Sequence, residues 1–122
     1  MLIKNFLLVA VGGSIGAVLR YSISLMFPNQ SFPYSTLIIN LVGSFLLGII
    51  LAMGLRNDTM PAGTRLFLAT GICGGFTTFS GFSAENLDLL QVGKYNLAFV
   101  YIIASVVGGI VATWFGFKLI QR

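Results

Sequence analysis

The chain has 122 residues, of which 57% are apolar and only 8% are charged, and its net charge is +4. Soluble domains carry about 25% charged residues, and a chain this short cannot hide so much apolar surface from water, so a soluble globular domain is nearly excluded. With no histidine, one cysteine and three acids, the chain also lacks material for a disulfide scaffold, a Cys/His zinc site or a catalytic triad.

Four uncharged apolar runs predict an all-α integral membrane protein, because a helix needs about 20 mostly apolar residues to cross ~30 Å of hydrocarbon. In chain order the predicted spans are about 4–25, 34–55, 65–90 and 95–118. Short polar loops separate them, so we expect one membrane domain, 1–122, with no separate extramembrane domain. The first span has no clear cleavage site after it, which argues against a signal peptide.

The few basic residues lie singly, near the ends of the predicted spans. With four spans, both termini and the 56–65 loop share one side of the membrane. That side holds five Lys or Arg residues, counting Arg122, and the other side holds Arg20 and Lys94. The positive-inside rule therefore favours cytoplasmic termini without fixing a single orientation. Scattered in this way, the bases form no patch for nucleic acid.

Small residues recur at intervals of four along every span, which favours close approach of helix backbones in lipid. They are Gly12 and Gly16, Ser44 and Gly48, Gly71 and Gly75, and the stripe Ala104, Gly108, Ala112 and Gly116. Ordinary helix packing accounts for most of them. Because four thin helices are few to enclose a polar path, we also expect the protein to oligomerise.

Polar groups at membrane depth are costly unless they pair with protein or line a cavity, so they often mark a pathway. Two such faces occur: Thr36, Asn40 and Ser44 in the second span, and Tyr101, Ser105 and Thr113 in the fourth. The Asn40 amide offers two donors and one acceptor, which suit either a pathway or helix–helix contact. The hydroxyls of the fourth span either donate to an anion or bond back to their own helix.

The third span is the least helix-like, since residues 71–85 contain four glycines and four hydroxyl residues. We expect its helix to break near 74–78, and broken backbone at this depth survives only inside protein or along a cavity. After the break, Phe79 and Phe82 project from one face, and so do Ser80 and Ser83. Aromatic ring edges carry positive charge, so these rings fit either ordinary packing or weak solvation of a small anion that has shed its water.

Four segments of the chain resemble the Fluc (CrcB-type) family of fluoride channels. The first runs from Gly12 to Tyr21 and the second from Thr36 to Ser44. The third and most specific is Gly71-x-x-Gly74-Gly75-Phe76-Thr77-Thr78-Phe79-Ser80-x-Phe82-Ser83-x-Glu85. The fourth is the face of Tyr101, Ser105 and Thr113. One departure is Gly81, where relatives often place a threonine, so one hydroxyl of the family's polar track is missing.

The resemblance implies an antiparallel, dual-topology homodimer in the cell inner membrane, with two pores that passively export fluoride from the cytoplasm. It implies that the fluoride pore is lined by Asn40, Phe79, Phe82, Ser105, Thr113, Tyr101, Ser80 and Ser83. Arg20 and Glu85 would lie in the vestibule. The backbone carbonyls of Gly74 and Thr77 would bind a structural sodium ion, Na+, at the dimer interface. The partners are then fluoride, a second copy of the chain and membrane lipid, but no nucleic acid.

Two other functions remain open from the residues alone. A small dual-topology exporter of cations, coupled to protons, fits the size and the span count, but it needs an acid deep in a span, and Glu85 lies at the end of the third. A non-transporting membrane subunit explains the glycines but not the paired phenylalanines. The chain is not expected to be an enzyme, since it offers no set of nucleophile, base and acid.

Overall fold

The apolar runs form helices throughout the computed structural model, which describes residues 1–28, 30–56 and 60–121. Within those ranges the regular structure is helical and contains no strand. The elements are α1 (Leu2–Ser24), α2 (Tyr34–Leu55), α3 (Ala62–Arg65), a π-helical stretch (Leu66–Cys73), α4 (Gly74–Phe76), α5 (Phe79–Gln91) and α6 (Tyr95–Ile120). The structure does not describe Asn29 and residues 57–59, which belong to predicted loops, or Arg122, which the sequence analysis counts among the basic residues near the span ends.

Four stretches are long and apolar enough to cross a membrane, as the sequence predicts. They are Leu2–Ser24, Tyr34–Leu55, Ala62–Gln91 and Tyr95–Ile120. The predicted bounds differ from these by at most three residues. Much of the apolar side-chain surface faces outward, including Phe6, Val18 and Ile110, as expected where lipid rather than water is the solvent.

The third span is interrupted at Thr77 and Thr78. Thr77 has φ −78° and ψ 156°, and Thr78 has φ −146° and ψ 117°, so both are extended. The interruption lies within the segment 74–78 where the sequence favours a break. The helix restarts at Phe79 because the Thr78 hydroxyl accepts a hydrogen bond from the Gly81 N–H at 2.9 Å, the usual role of a threonine N-cap.

Glycines set how closely the helices pack. On α1, a Cβ at Gly12 or Gly16 would meet backbone atoms of residues 67–76, so only a glycine permits this contact with the first half of the third span. Between α2 and α6 the same holds for Gly48, which faces the Thr113 carbonyl, and for Gly116, which faces the Phe45 carbonyl. Backbone approach at small residues therefore joins α1 to residues 66–76 and α2 to α6.

A tight turn at Gly93 connects α5 to α6. Gly93 has φ +82°, a left-handed conformation that suits glycine. The Lys94 N–H then bonds the Leu89 carbonyl at 2.8 Å, which closes the end of α5. Leu89 packs with Ala98 and with Tyr101, whose side chain is fully buried, so α5 and α6 are held together beside this turn.

Candidate functional site

The Asn40 side chain of α2 bridges the break in the third span. Its amide Nδ2 donates to the Thr78 carbonyl at 3.1 Å, and its Oδ1 accepts from the Thr78 N–H at 2.9 Å. A single side chain thus satisfies both backbone groups of an extended residue that a helix would otherwise satisfy. Its second amide N–H remains for another acceptor.

The break also removes the helical donors of two carbonyls. In a continuous helix, the Gly74 carbonyl would accept from the Thr78 N–H and the Thr77 carbonyl from the Gly81 N–H. Here the Thr78 N–H bonds Asn40 and the Gly81 N–H bonds the Thr78 hydroxyl. Carbonyl oxygens released in this way are the ligands that a small hard cation prefers, so the chemistry of this donor set fits the sodium ion that the resemblance implies.

A cavity of about 330 Å³ lies alongside the break. Four of the eight sequence-predicted pore residues line it, namely Asn40, Phe79, Phe82 and Ser105. Its other lining residues come from α2, from the third span on both sides of the break and from α6: Gly43, Ser44, Leu47, Ala69, Cys73, Gly74, Thr77, Thr78 and Val106. The cavity therefore joins the polar face of α2, the broken backbone and the paired phenylalanines.

The two phenylalanines contact each other and a tyrosine. The Phe79 and Phe82 ring centroids are 5.6 Å apart, and Phe82 meets Tyr101 edge to face at 5.0 Å. The Phe79 side chain is 78% exposed, whereas Phe82 is half-buried. Phe32 packs against the other side of Tyr101 at 5.5 Å. Phe82 is thus held in place from α6, while Phe79 stands at the open side of the cavity.

Glu85 is fixed from two neighbouring helices. The Thr36 hydroxyl donates to Glu85 Oε2 at 3.0 Å, and the Tyr101 hydroxyl donates to Glu85 Oε1 at 3.1 Å. Both donors are buried. Because Tyr101 also packs against Phe82, this one side chain holds both the Glu85 carboxylate and the Phe82 ring in position.

The two hydroxyls of the fourth span behave differently. Thr113 bonds back to the Gly109 carbonyl of its own helix at 3.0 Å and does not line the 330 Å³ cavity. The Ser105 hydroxyl lines that cavity and is buried without a hydrogen-bond partner among the described residues. Of these two hydroxyls, Ser105 is therefore the one with an unused donor beside the cavity, and an unpaired buried polar group is costly.

The remaining predicted site residues lie around this cavity rather than in its lining. Ser80 and Ser83 are exposed on α5, and the Ser80 hydroxyl is 3.2 Å from that of Thr78. Tyr101 stands behind Phe82. Arg20 reaches from α1 to the break, where its Nε donates to the Gly75 carbonyl at 3.2 Å, so its guanidinium is tied to the third span.

A second cavity, of about 350 Å³, opens beside the α5–α6 turn. Glu85, Asp88 and Lys94 are its charged lining residues, and the rest come from the turn between α1 and α2, the start of α2 and the end of α5 with the turn after it. Tyr101 connects the two cavities, since it bonds Glu85 of the second and packs against Phe82 of the first. We call it the mouth cavity.

Sequence reasoning missed several contacts of the site. The role of Thr78 as an N-cap has a local signal, a threonine just before a helical run. Thr36 is recognisable as polar, but nothing in the sequence pairs it with Glu85. Asn86 donates to the Phe82 carbonyl at 2.9 Å, and its buried Oδ1 has no partner among the described residues. Such pairings depend on which helices become neighbours.

These features define a class, a multi-pass helical membrane protein with a cavity at a broken span. Comparison with known proteins makes the class specific. The family model for CrcB-like protein, Camphor Resistance (CrcB), matches residues 7–117. The chain belongs to the CrcB family, which confirms the resemblance drawn from the sequence.

Relatives match over nearly the whole chain. A protein of Azobacteroides pseudotrichonymphae is 39% identical, with 98% of each chain covered. One of Chlorobium chlorochromatii is 45% identical over 92% of this chain and 88% of its own. One of Leptospira interrogans is 44% identical over 98% of this chain and 96% of its own. Each of the three is named a fluoride-specific ion channel, FluC.

Proposed function

We propose that this protein is a fluoride-selective passive channel of the bacterial inner membrane, which lets fluoride leave the cytoplasm and so limits its toxicity. The family and the names of its relatives support a channel rather than an enzyme. The observation that carries the proposal is the cavity at the break, where an unpartnered buried hydroxyl, an amide and two aromatic rings meet.

The lining suits an anion that has lost its water. Ser105 supplies an O–H donor without a protein acceptor among the described residues, and Asn40 has a second N–H donor to give. The ring edges of Phe79 and Phe82 add weak positive charge. Among the described residues no lysine or arginine lines this cavity, so the ion is bound weakly enough to leave again, as conduction requires.

We propose that two copies form an antiparallel, dual-topology homodimer with two pores. The largely exposed Phe79 ring at the open side of the cavity supports this, because a second copy would cover it. The released carbonyls of Gly74 and Thr77 would hold a structural sodium ion between the copies. One chain gives two such oxygens and an antiparallel pair would give four, so a second copy would double the oxygen ligands offered to a hard cation.

Ion release from liposomes tests the function. Purified protein is reconstituted in vesicles loaded with potassium fluoride or potassium chloride, and valinomycin balances the charge. A fluoride electrode should record rapid release of fluoride, while a chloride electrode records none above protein-free vesicles. Equal release of both ions, or release of neither, would contradict the proposal.

A further inference from the structure

We propose that the last turns of α6 form a binding site for the head group of an anionic phospholipid, centred on Trp114 and Lys118. These two residues are four apart in one helix and therefore lie on one face. The Lys118 Nζ stands 6.0 Å from the Trp114 ring centroid. Neither residue belongs to the cavity at the break or to the mouth cavity.

The aromatic part of this site has the character of a membrane interface. Trp114 is 53% exposed and Phe115 57% exposed, although both are large rings, and their centroids are 5.1 Å apart. They lie within the last two turns of a helix of 26 residues that is apolar along its length. Tryptophan at the end of a spanning helix typically lies at the level of the lipid head groups.

An open groove runs along the surface of the last turns of α6, beside these rings. It has a volume of about 520 Å³ and is lined by Trp114, Phe115, Lys118, Leu119 and Gln121. Trp114, Phe115 and Leu119 make part of its lining apolar. The rest of the lining is a lysine and a glutamine, which are able to donate hydrogen bonds to a phosphate.

The charges at this end of α6 favour an anion. Arg56 lies beside the same helix end, where its Nη1 donates to the Ile120 carbonyl at 2.8 Å. Glu85 and Asp88 belong to α5 and line the mouth cavity, beside the start of α6. The start of α6 is about 35 Å from Lys118 along the helix at 1.5 Å per residue. The third acid, Asp58, lies outside the described residues.

Lipid is the occupant that this combination selects. A soluble anion would need only the cations, and a neutral lipid would need only the rings. An exposed tryptophan one helical turn from a lysine, at the end of a spanning helix, provides both at the depth where anionic head groups lie.

The single tryptophan of the chain makes the proposal directly measurable, because all tryptophan fluorescence comes from Trp114. The protein is reconstituted in vesicles that contain equal fractions of phosphatidylcholine and phosphatidylglycerol, with bromine on the acyl chains of only one of them. Quenching by each brominated lipid then reports which lipid contacts the ring. We expect phosphatidylglycerol to be enriched about fivefold at Trp114, which corresponds to ~1 kcal/mol for one cation near the lipid surface.

The substitution Lys118→Gln should abolish this enrichment while leaving the total quenching unchanged. Lys4→Gln is the matched control, since it removes the same charge from another helix, and it should keep the preference. Equal quenching by the two lipids in the wild-type protein would overturn the proposal. So would a preference that survives Lys118→Gln, or an absence of quenching by either lipid. The outcome does not depend on whether the protein conducts fluoride.

Discussion

At the scale of single residues, the site depends on side chains that replace backbone hydrogen bonds. Asn40 meets both polar groups of Thr78, and the Thr78 hydroxyl meets the Gly81 N–H. Unpaired backbone groups at membrane depth cost several kcal/mol each. The break therefore exists because two polar side chains stabilise it, and the same arrangement leaves the Gly74 and Thr77 carbonyls without their helical donors.

Replacing Asn40 by leucine should remove both bonds to Thr78. Each unpaired buried group costs about 1–3 kcal/mol, so we expect a clear fall in the unfolding temperature in detergent and loss of fluoride flux. Ser44→Ala is the control, because Ser44 lines the same cavity one helical turn further along α2, and it should unfold near the wild-type temperature. An Asn40→Leu protein as stable as the wild type would show that the bridge contributes nothing.

The paired phenylalanines give a second prediction at this scale. Phe79→Ile or Phe82→Ile keeps an apolar side chain but removes the positively charged ring edge, so fluoride flux should fall at least tenfold while the protein still assembles. Flux is measured by electrode from liposomes, and assembly by size-exclusion chromatography. Phe6→Ile, at an exposed position on α1, should leave flux unchanged. Wild-type flux in both pore variants would exclude the rings from the pathway.

At the scale of helices and their breaks, local sequence predicts much of the structure. Charge-free runs give the ends of the spans to within three residues, because crossing the hydrocarbon is a local requirement of length and polarity. The interruption at Thr77 and Thr78 lies where glycines and hydroxyl residues weaken the helix. The π-helical stretch Leu66–Cys73 has no such signal. It lies against α1 at Gly12 and Gly16, and only the packed structure reveals that contact.

The sequence likewise predicts the residue types of the site better than their contacts. Asn40, Phe79 and Phe82 stand out by type and spacing, and all three line one cavity. That the Asn40 amide bonds Thr78, and that Glu85 accepts from Thr36 and Tyr101, depends on which helices lie side by side. Four helices admit several arrangements that satisfy the same hydrophobic pattern, so these contacts require the tertiary structure.

The α2–α6 contact allows a paired test of packing by small residues. A Cβ added at Gly116 would collide with the Phe45 carbonyl, whereas one at Gly109 would have the Ser44 hydroxyl 3.7 Å away as its nearest neighbour. Gly116→Ala should therefore destabilise the protein by ~1–3 kcal/mol through overpacking, seen as a lower unfolding temperature in detergent. Gly109→Ala, the same change in the same helix, should be neutral or stabilising, because alanine favours helix. Equal effects of the two changes would contradict this account of the contact.

At the scale of the whole molecule, the charges are distributed unevenly along the membrane normal. The acids of the described residues line the mouth cavity together with Lys94, while Lys4, Arg65 and Lys118 lie towards the opposite end of the helices. If fluoride enters by the mouth cavity, as we propose, it would meet carboxylates and an ammonium group before the phenylalanines. Charges at such an entrance change the local concentration of an ion rather than its passage through the narrow part.

Opposite substitutions at this mouth should therefore change flux in opposite directions. Asp88→Asn removes a negative charge and should raise fluoride flux, and Lys94→Gln should lower it, each by about twofold or more at low salt. The double variant should lie close to the wild type.

Both effects should shrink in 0.5 M salt, because the Debye length falls from about 10 Å at 0.1 M to about 3 Å at 1 M. Flux is measured from liposomes at both salt concentrations with an inert anion. Changes of the same sign, or changes that salt leaves intact, would show that these residues act through structure and not through the field at the entrance.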